Sequence, residues 1–286
     1  MQNPVEIIGQ TFENERALYH LQHAIVRGCT FAGAADGESA MKEGTDLTVA
    51  DCRFALRYPF WHTRRFSITA STMEETCRAP IWYAADGEVR DCEIHGVKCL
   101  RECDRMQFVH TKVVSPEFGW NCRDLSIVDC DMDSMYFLMG SRNVTIDRLH
   151  LSGKYSFQYV DGMTITNSVL ETKDAFWHSK HVTVKDSVIR GEYLGWYSEG
   201  LTLINCTLVG TQPLCYATGL TLINCTMEGA DLAFEYADVS ADVVGNILSV
   251  KNPKSGTIVA DSIDEIIRGD VVMPCTATIT IRGEML

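Results

Sequence analysis

The sequence has 286 residues, of which 46% are hydrophobic and 22% are charged, which is typical of a folded soluble protein and excludes a disordered one. The formal net charge of −13 argues against a nucleic-acid partner and against anionic membrane surfaces, because both require a basic face. No stretch reaches the about 18 apolar residues of a membrane span, and the N-terminus lacks the pattern of a signal peptide. The sequence therefore predicts a cytoplasmic protein with no membrane and no nucleic-acid partner.

The chain is built from a repeat of 19 residues. It is clearest in LTLINCTLVGTQPLCYATG (201–219) and LTLINCTMEGADLAFEYAD (220–238), which follow each other directly. Two intervals are longer, with 23 residues (24–46) and 21 residues (66–86). Equivalent repeats begin at Val5, Ala24, Leu47, Phe66, Gly87, Met106, Leu125, Val144, Met163, Val182, Leu201, Leu220, Val239 and Ile258. This regularity predicts one solenoid domain over residues 1–286, with repeats from about 5 to 257 and a last rung and cap over 258–286.

Each repeat predicts three short strands separated by corners. Positions 1 to 3 alternate apolar and polar residues, as in a half-buried strand, and position 5 is usually Asn or Asp, which tolerate a left-handed corner. Position 8 is large and apolar, and positions 12 to 17 are apolar or aromatic. Because no helical period occurs and left-handed β-helices use hexapeptides, the expected fold is all-β. It is a right-handed, single-stranded parallel β-helix of about 14 rungs with capped ends.

Irregular segments mark the ends of this pattern. The 23-residue repeat contains AGAADGES (32–39), which predicts a loop of small residues. After Ile258 the repeat decays into SIDEIIRGDVVMPCTATITIRG (262–283), which predicts a cap and a closing strand.

Half of the twelve cysteines share position 6 of the repeat. A metal ladder would need interleaved histidines or paired CxxC spacing, and neither occurs. The column therefore predicts small buried side chains, and neither a metal nor a cofactor is expected. Its members are Cys29, Cys52, Cys92, Cys130, Cys206 and Cys225.

All five tryptophans fall at position 15. Lys42, Arg101 and Gln158 share that column, which disfavours burial, whereas position 14 is more uniformly apolar and is the better candidate for the core. Position 16 is polar or phenolic. We therefore expect a partly exposed aromatic face able to bind sugar rings, although a buried aromatic stack is the alternative. The predicted substrate-binding residues are Trp61, Trp82, Trp120, Trp177 and Trp196.

Candidate catalytic groups lie beside this column. Arg101 and Glu102 interrupt the aromatic pattern, Glu117 is one repeat further on, and Asp174 shares a repeat with His178. Paired carboxyls would suit glycoside hydrolysis, and Arg101 would suit lyase chemistry. None of these residues forms a specific catalytic motif, and solvated surface charge is the competing interpretation for each of them.

Several strings resemble an uncharacterised bacterial family of short, pectin-lyase-like β-helix proteins whose domain has no known function. They are GESAMKE (37–43), APIWYA (79–84), KDAFWHS (173–179), GEYLGWYS (191–198), LAFEYADV (232–239) and KNPKSGTI (251–258). The resemblance spans nearly the whole chain and implies the same fold and a bacterial source. It implies no activity and no catalytic residue.

Two function classes follow from the sequence. The first is a protein that binds an oligosaccharide, or acts on it as a glycoside hydrolase or polysaccharide lyase, along the aromatic face. The second is a non-catalytic scaffold whose face docks a partner or a second copy as a homodimer, since Trp and Tyr also favour interfaces.

Overall fold

The computed structural model describes residues 3–33 and 37–283. Residues 34–36 of the predicted small-residue loop lie outside these ranges. The chain divides into two compact units, residues 1–145 and 146–286, and each is a β-solenoid. That the whole chain is one domain stays a prediction.

Short strands build the first unit. They are β1 (Val5–Ile8), β2 (Thr11–Phe12), β3 (Gln22–Arg27), β4 (Thr30–Phe31), β5 (Thr45–Ala50), β6 (Arg53–Phe54), β7 (Phe60–Trp61), β8 (Arg64–Thr69), β9 (Thr72–Met73), β10 (Ile81–Trp82), β11 (Ala85–Arg90), β12 (Glu93–His95), β13 (Leu100–Arg101), β14 (Asp104–Val109), β15 (Lys112–Val114), β16 (Glu117–Phe118), β17 (Arg123–Ser134) and β18 (Tyr136–Phe137). One 3-10 turn, Glu75–Cys77, follows β9.

The second unit continues the same pattern with longer strands towards its end. Strand β19 (Arg142–Gly153) runs across the division of the chain. The others are β20 (Asp161–Thr166), β21 (Val169–Thr172), β22 (Lys180–Lys185), β23 (Val188–Arg190), β24 (Thr202–Ile204), β25 (Thr207–Val209), β26 (Leu220–Glu228), β27 (Asp238–Lys251), β28 (Ser255–Ile267) and β29 (Thr278–Ile281).

Parallel pairing follows the 19-residue repeat within each unit. Gly87 pairs with Met106 in the first unit, and Met163 pairs with Val182 in the second. Because each strand pairs with its equivalent one repeat later, every rung stacks on the next at the usual spacing of about 4.8 Å. The predicted fold is confirmed as a right-handed parallel β-helix of about 14 turns with rungs about 19 residues apart.

Position 5 supplies the predicted corner. Asp51, Asp91, Asn167 and Asn205 all have left-handed backbones with φ near +50°. Their side chains also form ladders, since Asn205 Nδ2 donates to Asp186 Oδ1 at 2.9 Å. Short polar side chains are favoured here because they tolerate positive φ and bond locally.

The repeat ends differently from the prediction. Val239 pairs with Gly256, and Ile258 pairs with Ala241, so the last interval is shorter than 19 residues and Ile258 does not begin a repeat. The pairing shifts register between Leu222 and Cys225, where the strand is irregular. The closing strand is confirmed, because β29 pairs in parallel with β28.

The cysteines of position 6 pack inside the solenoid, as predicted. The six members of position 6 are buried, and all twelve thiols are reduced. The Cys52 thiol donates to Ala50 O at 3.2 Å, and the Cys92 thiol donates to Arg90 O at 3.2 Å. Burial raises the pKa of Cys52 to about 11 and that of Cys77 to about 12, so these thiols are protonated at neutral pH.

Candidate functional site

Position 14 faces the core, and position 15 lies at the edge of the surface. Phe60, Ile81 and Leu100 are fully buried, whereas all five tryptophans are half-buried. The Phe157 and Phe176 rings stack inside the second unit with centroids 4.8 Å apart. The preference for a partly exposed tryptophan column over a core stack is therefore confirmed by burial.

Three of the five indole N–H groups are bonded within the fold, whereas Trp61 Nε1 and Trp82 Nε1 are buried and have no hydrogen-bond partner among the described residues. Trp120 Nε1 donates to Tyr136 O at 3.0 Å, Trp177 Nε1 to Tyr193 O at 2.7 Å, and Trp196 Nε1 to Gln212 O at 2.8 Å. Each acceptor lies sixteen residues further on, at position 12 of the next rung. These three donors are therefore not available to a ligand.

The ring faces are also covered by neighbours along the column. Trp61 stacks on Trp82 with centroids 5.8 Å apart, and Trp177 stacks on Trp196 at 5.4 Å. The column therefore presents ring edges to the surface, and flat platforms are not left open between these pairs.

The cations of position 15 are stacked on the tryptophans. Lys42 Nζ lies 4.2 Å from the Trp61 ring centroid, and the Arg101 guanidinium carbon lies 4.7 Å from that of Trp120. Such cation–π contacts contribute about 0.5–2 kcal/mol, which explains how charged residues share a half-buried aromatic column.

Phe234 falls at position 15 when residues are counted from Leu220, but it does not face outward. Phe234 is fully buried, and its N–H donates to Pro213 O at 3.1 Å. Phe176 makes the equivalent bond to Ser156 O from position 14, so Phe234 occupies the inward slot and Glu235 takes position 15. One extra residue before Phe234 shifts the alternation, and side chains exchange faces when a strand slips by one residue.

The 21-residue rung carries an insertion that reshapes the surface. The 3-10 turn Glu75–Cys77 is followed by Arg78, whose backbone has φ 57° and ψ −69°. The Arg78 N–H donates to Glu75 O at 3.0 Å, and the Arg78 carbonyl accepts from the Lys98 N–H at 2.8 Å. A non-glycine residue in this region of φ and ψ costs about 1–3 kcal/mol, and such strain is often found at functional sites.

A cleft lies beside this insertion, and we call it the Trp82 cleft. Its volume is about 160 Å³. Tyr58 forms one aromatic wall and packs edge-on against both Trp61 and Trp82, with centroids 6.1 Å apart in each case. The residues that line the cleft are Tyr58, Arg78, Ala79, Trp82, Val97, Lys98 and Arg101.

The charges of the cleft are mostly positive. Glu117 is its nearest acid, with Oε2 lying 3.5 Å from Arg101 Nη1 and 3.8 Å from Lys98 Nζ. Both distances exceed the about 2.7–2.9 Å of a strong charge-assisted hydrogen bond. Arg78 forms no ion pair or side-chain hydrogen bond with the residues in the described ranges.

Two further depressions border this region. One of about 220 Å³ shares Val97 with the Trp82 cleft and is also lined by Glu75, His95, Val114 and Pro116. Glu102 lines the other, of about 230 Å³, together with His62, Arg64, Tyr83 and Asp104. Glu102 and Glu117 thus line different surfaces, and within the described residues no contact brings these two carboxyls together as a catalytic pair.

The candidates of the second unit are also separate from each other. Asp174 is 7% exposed, and its carboxyl has no hydrogen bond or ion pair within residues 37–283. Burial raises the pKa of Asp174, and the charges of Lys173 and Lys154 oppose this rise. His178 is exposed and lies between Tyr159 and Tyr197, with ring centroids 5.2 and 5.0 Å away. No contact joins Asp174 to His178.

Sequence reasoning missed Tyr58 and the importance of Arg78. The signal for Arg78 was the 21-residue interval. The two extra residues of that repeat cannot fit the regular path of a 19-residue rung and must therefore project from its surface. The signal for Tyr58 was position 12, where Tyr136 and Tyr193 also pack against tryptophans.

The chain belongs to the family described as protein of unknown function (DUF3737), whose model matches residues 5–281. The predicted membership in an uncharacterised β-helix family is confirmed. No curated protein matches the sequence.

Solved structures are similar in architecture. The A-module of the Azotobacter vinelandii mannuronan C-5 epimerase AlgE4 is 8% identical over 98% of this chain and 89% of that chain, with a TM-score of 0.35. The catalytic domain of a GH87 α-1,3-glucanase is 8% identical over 99% and 64%, with a TM-score of 0.33. The fluoroquinolone resistance protein QnrB1 is 10% identical over 77% and 91%, with a TM-score of 0.20. Similarity at this level carries no argument about function.

No helix in residues 3–33 and 37–283 is long and apolar enough to cross a membrane. In the same residues, no group of three or more His, Cys, Asp or Glu side chains is arranged to hold a metal ion.

Proposed function

We propose that this protein binds carbohydrate and that the Trp82 cleft is the binding site. The observation that carries the proposal is the convergence of two aromatic side chains, Tyr58 and Trp82, with Arg78, Lys98 and Arg101 around one concave surface. Apolar ring area with a few well-placed polar groups is the usual composition of small-molecule sites. Sugars suit such a site because their C–H faces pack on aromatic rings while their hydroxyls bond to the polar groups.

The details of the cleft limit how a sugar binds. Because Trp82 is stacked on Trp61, its exposed edge and the Tyr58 ring are the surfaces that remain for contact. The volume of about 160 Å³ lies below the about 300–1,000 Å³ of clefts that enclose drug-sized ligands. The cleft is therefore expected to hold one end or one ring of an oligosaccharide, with the adjoining depression at Val97 open to a second ring.

Tryptophan fluorescence tests this function directly. We expect one or more oligosaccharides from a panel of neutral and acidic glycans to change the emission of the wild-type protein. Replacing Trp82 by Phe should abolish that change, because Phe keeps an aromatic ring on Trp61 but removes the reporting indole beside the ligand. Trp196→Phe is the matched control, since Trp196 has the same column position but lies in the second unit.

Two outcomes would contradict the proposal. One is a flat titration with every glycan, confirmed by calorimetry. The other is a signal that survives in Trp82→Phe and disappears in Trp196→Phe, which would move the site to the second unit.

A second candidate function is self-association through the stacked rings of position 16, which are exposed except for the half-buried Tyr216. Tyr159, His178, Tyr197 and Tyr216 stack in the second unit with successive centroids 4.9–5.2 Å apart, and Tyr159 is 56% exposed. Rows of exposed aromatic side chains are typical of interface cores. If this ladder forms a homodimer, light scattering should report a dimer mass for the wild type and a monomer mass for a Tyr159→Ala, Tyr197→Ala double variant. A monomeric wild type would exclude it.

The cytoplasmic location and the catalytic roles expected from the sequence remain proposals. Arg101 lines the Trp82 cleft and Glu117 pairs with it, so these two are the candidates that a ligand in this cleft would reach. Glu102, Asp174 and His178 lie elsewhere and take no part in the proposed binding.

A further inference from the structure

We infer that the Trp82 cleft selects glycans that carry carboxylate groups, an inference that rests on the proposed carbohydrate binding at the same cleft. The first reason is local charge. Three cations line the cleft and one carboxylate, Glu117, lies beside it, although the chain as a whole has a formal net charge of −13. Glu75 lines the adjoining depression and not the cleft itself.

The second reason is that the arginines of the cleft lack the close ion pairs that several other arginines of the chain form. Arg65, Arg105 and Arg123 each form a two-pronged ion pair with the aspartate nineteen residues before them, at 2.5–3.2 Å. Each of these three arginines is thus neutralised by the rung below.

Arg78 and Arg101 are not satisfied in this way. Arg78 has no acidic partner in the described residues, and the Arg101 contact with Glu117 is long at 3.5 Å. Guanidinium donors are therefore left over in the Trp82 cleft, where the rings of Tyr58 and Trp82 also meet. A planar carboxylate matches the fork of a guanidinium and accepts two bonds from it.

The third reason is preorganisation. The Arg101 side chain is only 19% exposed and lies over the Trp120 ring, so its guanidinium is held in one place before a ligand arrives. The backbone of Arg78 is fixed by its bonds with Glu75 and Lys98, while its side chain is exposed. A fixed guanidinium such as that of Arg101 loses little freedom on binding and therefore favours a ligand whose charge sits at a defined point. In such a ligand, the ring packs towards Tyr58 and Val97 while its carboxylate reaches the cations.

Matched pairs of oligosaccharides test the inference. The probes are hexamers of glucuronate, galacturonate and mannuronate, each as the free acid and as the full methyl ester, together with neutral hexamers of glucose and mannose. We expect at least one free acid to bind about tenfold or more tightly than its ester, with an affinity that falls as salt is raised.

Substitution at Arg78 supplies the second measurement. Arg78→Gln should weaken binding of that free acid by about tenfold or more and leave the affinity for its ester unchanged. Arg105→Gln is the control, because it removes an equal charge from the Asp86 pair outside the cleft. Thermal melting of both variants separates a binding loss from a folding defect, and Arg78→Lys, which keeps the charge, should recover part of the affinity if Arg78→Gln is less stable.

The outcomes separate the two proposals. If esters or neutral hexamers bind as tightly as the free acids, the selectivity for carboxylate is wrong while carbohydrate binding stands. If no glycan of either kind binds, both are wrong. Equal weakening by Arg78→Gln and Arg105→Gln would also overturn the inference, because it would reflect net charge and not the cleft.

Discussion

Phe176→Ala is expected to lower the free energy of unfolding by about 3–5 kcal/mol. Phe176 is 1% exposed, and its ring stacks on Phe157 in the core of the second unit. Removing the ring leaves a cavity that neighbouring rungs cannot close, because their backbones are fixed by parallel pairing on both sides. Urea denaturation followed by circular dichroism would measure the loss.

Tyr159→Ala is the matched control. Tyr159 lies at position 16 of the repeat in which Phe157 occupies the core position 14. Tyr159 is 56% exposed and loses its stacking on His178 when it is truncated. Surface substitutions of this kind usually change stability by less than about 1 kcal/mol. If the two variants lost similar stability, the assignment of position 14 to the core and position 16 to the surface would be wrong.

Much of the fold can be predicted from the repeat because equivalent residues of successive rungs have the same burial and the same backbone conformation. Once Leu201–Gly219 and Leu220–Asp238 are aligned, the left-handed corner at Asn205 and Asn224 and the buried thiols of Cys206 and Cys225 follow from residue type alone. A single short apolar segment does not distinguish a strand from a helix, but about fourteen aligned repeats of the same pattern do.

Comparison of repeats cannot predict a structural feature that occurs in one repeat only. The Trp82 cleft lies beside a two-residue insertion that occurs in one repeat. The insertion gives Arg78 an unusual backbone conformation, and comparison with the other repeats cannot predict it because they have no equivalent residue. The slip before Phe234 has the same character, since one extra residue reverses which side chain faces inward.

The indole bonds could not be predicted for a different reason. Whether Trp177 Nε1 reaches Tyr193 O depends on the rotamer of the ring and on the offset between rungs, and neither is encoded in spacing. The sequence therefore indicated a partly exposed tryptophan column, but it could not show that three of the five indole donors are bonded within the fold.

Gly210→Ala is the second large effect that the structure predicts. Gly210 has φ +134°, and a Cβ placed there would lie 2.2 Å from the carbonyl oxygen of Gly191 in the preceding rung. Neither atom can move freely, because the Gly210 N–H already donates to Glu228 O and holds the corner against the next rung. We expect a loss of about 2–5 kcal/mol, which combines the backbone strain with the overpacking of a fixed carbonyl.

Gly229→Ala separates these two contributions, because Gly229 occupies the same position of the following repeat. Its φ is +64°, and a Cβ there would meet nothing within 4 Å, so only the left-handed backbone is penalised, by about 1–2 kcal/mol. Urea denaturation of both variants under one condition gives the difference. A larger loss in Gly210→Ala means that close contact between rungs, and not glycine flexibility alone, selects glycine at this corner, whereas equal losses would show that the rungs can spread to admit a methyl group.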